Sequence, residues 1–241
     1  MEKLLFAVVC ALVMAGGPAL AQDLSLNLGD GTSVSARSIQ LILLITVLSI
    51  APGVAIMVTC FPFIVTVLSI LRQAIGLQQA PPNMLIVSLA LFLTWYVMDP
   101  VFTQAWENGI GPLSREEIDL GSAITQTLAP FRAFMAARLD PETFANLARL
   151  RPGPLPISIP DAPLSVLVPA FMLSEIKLAF EIGFLVFLPF LVIDLVVAAV
   201  LMSMGMMMVP PAIVSLPFKL AFFVVADGWS LIASALVRSY I

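Results

Sequence analysis

Residues 195–218, LVVAAVLMSMGMMMVPPAIVSLPF, hold no charged side chain, five of the twelve methionines of the chain, and an adjacent pair of prolines, Pro210-Pro211. Methionine is unbranched and polarizable, so a cluster of it fills irregular gaps or presses softly on changing surfaces. Paired prolines cannot lie in the interior of an undistorted helix, because each lacks a backbone donor and constrains the residue before it. The stretch therefore reads either as a deformable apolar plug at a break in a membrane helix or as filler against lipid and neighbouring helices. Its own chemistry supports both alike.

The surrounding composition sets the solvent. Of 241 residues, 61% are hydrophobic and 11% charged, with a mean hydropathy of +1.08, well above the roughly one-half apolar content of soluble domains. This is an integral membrane protein. Its net charge of -4 and 11 scattered Lys and Arg residues exclude nucleic acid as a partner, since phosphate binding needs clustered bases. There is no His, and the cysteines are Cys10 and Cys60, so the usual zinc, haem and Cys-His arrangements lack ligands or bases. No cofactor, metal site or catalytic set is expected.

At the N-terminus, Lys3 precedes an apolar run over residues 4–14, then Gly16, Gly17, Pro18 and Ala19-Leu20-Ala21. That is the three-part pattern of a secretory signal peptide, residues 1–21, with cleavage expected after Ala21. Cleavage would leave Cys60 alone and deliver the mature start to the outer face of the membrane. Residues 22–38 read as a flexible polar leader.

The 33 positions from 39 to 71 are uncharged, longer than the roughly 20 residues that cross a bilayer. Pro52-Gly53 and Pro62 inside them predict a bent or interrupted helix. Arg72 and the Gln- and Pro-containing stretch to residue 83 form a turn, assigned to the cytoplasmic side. A second apolar run ends at Trp95 and Tyr96, residues that favour a membrane interface or, if partners enclose the protein, a buried core, and Asp99-Pro100 is expected to close it. Residues 39–98 thus form a first helical hairpin.

Residues 99–161 hold 8 of the 15 acids and 5 of the 11 bases, the one extended soluble segment, expected outside the cytoplasm. Ser114 and Glu117 have capping-box spacing. Ile124, Leu128, Phe131, Met135 and Leu139 recur at helical intervals around Pro130, predicting a kinked amphipathic helix. Asp140-Pro141 opens another, with Phe144 and Leu147 on one face. So short a segment has little core of its own, so a neighbouring subunit is as good a cover for these stripes as self-packing. Prolines from 152 to 163 make a stiff connector, closing a unit of residues 99–164.

Residues 165–241 return to apolar character as a second, broken helical hairpin that includes the methionine loop. Glu175, Lys177 and Glu181 fall within its first span, and Asp194, Lys219 and Asp227 within later ones. Charges in hydrocarbon face protein, water or each other. Lys177 and Glu181 have the spacing of an intrahelical pair, whereas Glu175 needs a partner from elsewhere in the chain or from another subunit. Subunit packing or buried ion pairing is favoured for these groups over an ion pathway. The fold class is all-α, with about four long, partly broken hydrophobic helices in hairpins plus the helical extracytoplasmic segment.

The wording of several stretches is specific. FPFIVTVLSILRQAIGLQQAPP at 61–82, LALFLT at 89–94, PAFMLSEIKLAFEIGFLVFLPFLVIDLVVAAVLMSMGMMMVPP at 169–211 and LPFKLAFFVVADGW at 216–229 closely resemble the FliP family of flagellar biosynthetic proteins. The likeness covers most of the mature chain and is weakest in the leader and the soluble segment. Pro62-Phe63 depart from the Thr-Arg of many members, so no role is assigned to a positive charge there. The family includes the export-gate subunit of virulence-type injectisomes. The signal peptide and the extracytoplasmic segment look more like the flagellar branch.

The resemblance implies a non-enzymatic subunit of the type III export gate, several copies of which assemble with FliQ and FliR into a closed helical ring around a pore. It implies FlhB, FlhA and the flagellar basal-body ring as neighbours, unfolded flagellar export substrates as cargo, and the bacterial inner membrane as the location. Met206, Met207 and Met208 match the family's methionine-rich loop, regarded as a gasket, with Pro210 and Pro211 at the helix break. The same resemblance would place Glu175, Lys177, Asp194 and Lys219 against neighbouring subunits.

Two other function classes fit the sequence less well. A stand-alone secondary transporter or ion channel would use Glu175, Lys177 and Asp194 as a coupling site, but such proteins show internal repeats and paired broken helices, and no second copy of the methionine segment exists. An intramembrane hydrolase needs a nucleophile and a base, for which no motif is present.

Overall fold

The computed structural model describes residues 34–77, 81–150, 158–206 and 208–240. The signal peptide, its cleavage point at Ala21, the leader up to residue 33, Cys10 and Met207 lie outside the described residues. The chain is all-helical over the described residues and forms two units, one up to Ser49 and one from Ile50.

Helix α1, Val34–Met57, starts inside the stretch read as leader. In the first unit its side chains Ile39, Leu41, Ile42, Leu43, Leu44, Ile45 and Leu48 lie exposed. The hydroxyls of Thr46 and Ser49 donate back to Ile42 O (2.7 Å) and Thr46 O (2.8 Å), which hides them in an otherwise apolar surface.

In the second unit the 39–71 run is interrupted, as Pro52-Gly53 and Pro62 led one to expect, but the break falls at residues 58–60. Helix α1 passes through Pro52-Gly53 and ends at Met57, and α2, Phe61–Ile75, begins with Pro62 in its first turn, where a missing N–H is harmless. The two halves have opposite fates. Whereas α1 displays Val54, Ile56 and Met57, α2 buries Phe63, Ile64, Val67, Leu68, Leu71, Ala74 and Ile75 as the central helix of the main core, which α3, α7, α8 and α9 surround. Gly76 at φ 89° caps α2, its N–H donating to Gln73 O at 3.0 Å. Arg72 donates to the Asn83 side chain and ties the turn to the next helix.

Helix α3, Asn83–Ala105, runs through Asp99-Pro100, the point expected to close the span, and continues as a π turn, Trp106–Ile110, and a short α4, Gly111–Ser114. Proline is tolerated in such a helix because neighbouring elements and local π distortions take up the freed groups. The π turn lies close against the next long helix: a Cβ on Gly109 would sit 2.7 Å from the backbone N of Thr127.

The capping box does not form. The Ser114 hydroxyl donates to Gly111 O (2.6 Å) and Glu117 pairs with Arg115 (2.7 Å). Instead Asp119 starts α5, Leu120–Arg138, accepting from the backbone N–H of Gly121 (2.9 Å) and from the Ser122 hydroxyl (2.6 Å). Pro130 lies within α5, whose stripe divides. Ile124 and Leu128 stay exposed, while Met135 and Leu139 join a second core with Phe144, Ala148 of α6 (Pro141–Leu150) and the start of α7. Asp140 caps α6 as its place before Pro141 requires, accepting from the Thr143 N–H (3.2 Å) and hydroxyl (2.6 Å).

Helix α7, Leu164–Ser203, spans 40 residues through Pro169 and Pro189, about 60 Å at the usual rise. Gly183 lets it approach α2: a Cβ there would lie 2.4 Å from Ile70 Cδ1. Helices α8, Pro211–Val225, and α9, Gly228–Arg238, bend by 61° around Asp227, which takes a left-handed φ of 48°. Among the described residues three helices are long and apolar enough to cross a membrane, within Ile39–Met57, Asn83–Ser114 and Leu164–Ser203, and the bent α8–α9 pair makes up to four.

Candidate functional site

The methionine loop is bracketed by two backbone devices. At the end of α7, Gly205 adopts a left-handed φ of 76°, with Gly205 N–H bonded to Met202 O (3.1 Å) and Met206 N–H to Leu201 O (3.0 Å). This is a Schellman stop with glycine at the position that needs no Cβ. The prolines do not end α7. Pro210 precedes α8 and Pro211 is its first residue, where the fixed φ of proline favours a helix start. Between the brackets Met206 N–H to Leu201 O also carries the side chain of Met206 over an apolar groove of about 560 Å³ lined with Val197, Leu201, Val214 and Phe218. Met206 is 37% exposed there and Met208 is 97% exposed.

Behind the loop a charged cluster joins three helices. Lys219 Nζ of α8 donates to Asp194 Oδ2 of α7 (2.6 Å) and to Ala74 O in the last turn of α2 (3.1 Å), and the Ser215 hydroxyl donates to Asp194 Oδ1 (2.6 Å). A cation on the carbonyl end of α2 is favoured by the helix dipole as well as by the carboxylate. Lys219 is buried and Asp194 is one-third exposed at its side chain.

Farther along α7, Glu175 is fully buried and accepts from Arg138 Nε (3.2 Å) and from the Tyr240 hydroxyl. The Arg138 guanidinium also donates to Ser239 O (2.8 Å) and stacks 4.1 Å from the Tyr240 ring centroid. Tyr240 in turn meets Phe63 edge-on at 5.5 Å and stacks on Phe134 at 5.9 Å. Lys177 does not pair with Glu181. It reaches Asp140 Oδ2 at 3.3 Å, because the α5–α6 corner packs on this part of α7 and its carboxylate, already turned inward as a cap, is the nearer acceptor. The Thr143 hydroxyl, with help from Lys177, holds the Asp140 carboxyl below the usual carboxylate range. Glu181 is exposed and takes no part in the four ion pairs of the described residues.

These groups neutralise and cross-link helices; Cys60, the free cysteine of the described residues, is buried in the core. The arrangement offers an apolar, methionine-tipped hairpin on a framework pinned by buried charge. The model of the FliP family matches residues 44–236.

The chain belongs to the FliP family.

Among its relatives, flagellar biosynthetic protein FliP of Caulobacter vibrioides is 52% identical over 239 residues, 99% of this chain and 89% of that protein. That of Bacillus subtilis is 46% identical over 214 residues, 88% and 95% of the two chains. That of Treponema pallidum is 41% identical over 208 residues, 86% and 77%.

Sequence reasoning about this FliP-family chain missed Arg138, Tyr240 and Gly205. Arg138 and Glu175 lie 37 residues apart and Tyr240 and Glu175 65 apart, separations with no local pattern. Gly205 did carry a signal, a glycine closing a long apolar helical run, masked by the more conspicuous prolines.

Proposed function

We propose that this chain is a pore-forming subunit of the flagellar type III protein export gate in the bacterial inner membrane. Several copies assemble with FliQ and FliR, next to FlhB, FlhA and the basal-body ring, and pass unfolded flagellar proteins through the ring. Met206, Met207 and Met208 form the seal. The observation that carries this reading is the hairpin tip: a Schellman stop and a proline start hold the loop, Met206 lies over an apolar groove, and Met208 stands almost wholly exposed. A hydrophobic constriction resists water and ions by dewetting, and flexible thioethers re-pack around a passing chain of any sequence. No covalent step is needed.

Under the same reading the turn near 72–83 faces the cytoplasm, residues 99–164 are extracytoplasmic, and the signal peptide is removed after Ala21. Glu175, Lys177, Asp194 and Lys219 stiffen the framework, and Glu181, exposed on α7, faces a neighbouring subunit. A stand-alone transporter has less support, because Glu175, Lys177 and Asp194 are each already engaged. Replacing Met206, Met207 and Met208 by Ala in the assembled complex is expected to open a leak of small ions in a bilayer conductance assay. An intact complex with unchanged resistance would remove the methionines from the seal, and a monomer that moves a small solute by itself would remove the gate.

A further inference from the structure

Helix α3 has one face that the described residues leave uncovered. Phe92, Trp95 and Tyr96 are 75%, 64% and 65% exposed, and Asp99 beside them is exposed as well. Positions 92, 95, 96 and 99 share one side of a helix, so three aromatic rings and a carboxylate stand in a single stripe. Clustered exposed aromatics mark an interaction surface. Asp99 is the one charged residue of α3, Asn83–Ala105, and among the described residues it makes no hydrogen bond or ion pair. It lies at the middle of Asn83–Ser114, a stretch long and apolar enough to cross a membrane. A carboxylate in such a helix calls for a partner.

The chemistry around it selects that partner. A groove of about 520 Å³ on this face is lined by Trp95, Tyr96, Val97, Asp99 and Pro100. Pro100 has no N–H to give the carbonyl of Tyr96 four residues before it, so that oxygen is short of its helical donor. The Trp95 ring is steadied by Phe102 at 5.3 Å, which in turn meets Phe131 at 5.9 Å. A carboxylate, an under-bonded carbonyl and aromatic faces together attract a cation. Arg238 does not supply it: this residue lines a neighbouring groove with Leu93 and Tyr96 and forms no ion pair among the described residues.

We propose that this face of α3 receives an arginine side chain carried by an apolar helix of another chain. The planar guanidinium donates in a fork to Asp99, reaches Tyr96 O with a further N–H and lays its face on the Trp95 ring. Lysine, a point donor, would satisfy fewer of these groups at once. Phe92, one turn away, packs on the helix that brings the arginine. This docking is independent of the methionine loop and of the pore.

The probe is a synthetic polyleucine transmembrane helix with arginine, glutamine or leucine at its centre, mixed with the full-length chain in phosphatidylcholine vesicles, with association read by energy transfer between labels. The arginine helix should associate about tenfold more tightly than the other two, the scale of a charge-assisted hydrogen bond. D99N should erase that advantage, D99E should keep it, and W95A should reduce it with the carboxylate intact. R238Q should change nothing. Equal association of the three helices, or arginine-helix binding indifferent to D99N, overturns the proposal. So does a gain of binding in R238Q, which would pair Asp99 with Arg238 of its own chain. Self-association of the chain that D99N abolishes would put a second copy on this face and overturns it too. If D99N fails to insert, the contrast of arginine with glutamine helices on the wild type and on W95A decides between the same outcomes.

Discussion

Arg138, the last residue of α5, and Glu175, in the first third of α7, meet at 3.2 Å with the carboxylate wholly removed from solvent. Breaking a buried pair from one side leaves an uncompensated charge and costs about 3–5 kcal/mol, whereas replacing both partners by apolar groups is often tolerated. Arg138→Met should therefore lower the unfolding temperature in detergent sharply, and Arg138→Met with Glu175→Leu should recover much of the loss. Simple additivity of the two single effects would show that the pair is not coupled.

Tyr240 adds the second donor to Glu175 and two ring contacts. Tyr240→Phe keeps the rings and removes the hydroxyl, leaving a buried carboxylate oxygen short of a donor, at about 1–3 kcal/mol. Tyr240→Ala should cost more, because it also strips the rings of Phe63 and Phe134 of their partner. Equal thermal shifts for the two variants would place all of the contribution in the hydrogen bond.

Gly205 and Gly183 are both needed, for different reasons. Nothing lies within 4 Å of a Cβ built on Gly205, whose φ is 76°, whereas a Cβ on Gly183 strikes Ile70. Gly205→Ala should cost about 1 kcal/mol of backbone strain, eased by Asn in place of Ala. Gly183→Ala should cost about 1–3 kcal/mol through overpacking and be rescued by Ile70→Ala. Rescue of Gly205→Ala by a change in a packed neighbour would contradict the assignment.

The Ser122 hydroxyl, followed by the N–H groups of Ser122 and Gly121, holds the carboxyl of Asp119 below its ordinary value. A carboxyl depressed in the folded state contributes stability above its unfolded pKa of about 4, and the contribution fades as pH falls through that value toward the folded one. The amides of Gly121 and Ser122 should therefore lose protection from hydrogen exchange, relative to the intrinsic rate, between about pH 4 and lower pH. In Asp119→Ala the protection should be absent at every pH. Acid-insensitive protection in the wild type would assign the cap to something other than the carboxylate.

How much of this was legible beforehand depended on whether the cause was local. The charge-free interval over 73–98 and the apolar stretch over 166–189 announce membrane helices because bilayer thickness sets the length needed, and Asp140-Pro141 announces a helix start because both residues act within one turn. The run at 39–71 hid its division into an exposed helix and a buried one, since hydropathy is the same whether an apolar face meets lipid or protein. Asp119 was passed over for Ser114, although an acid three residues before Ser122 has the same capping chemistry. Arg138, 37 residues from Glu175, became a partner only when the α5–α6 corner folded onto α7.

The clamp formed by Asp194, Ser215 and Lys219 stands ten positions before Met204 on α7, a helical length of about 15 Å. The hairpin is thus a cantilever, anchored at its base to the carbonyl end of α2 through Ala74 and held at its tip, among the described residues, by the loop's own backbone hydrogen bonds and by apolar contact. Lateral force on the tip bends the two arms together about that fulcrum, and the stiffness of the loop is set by the arms, not by the methionines they carry.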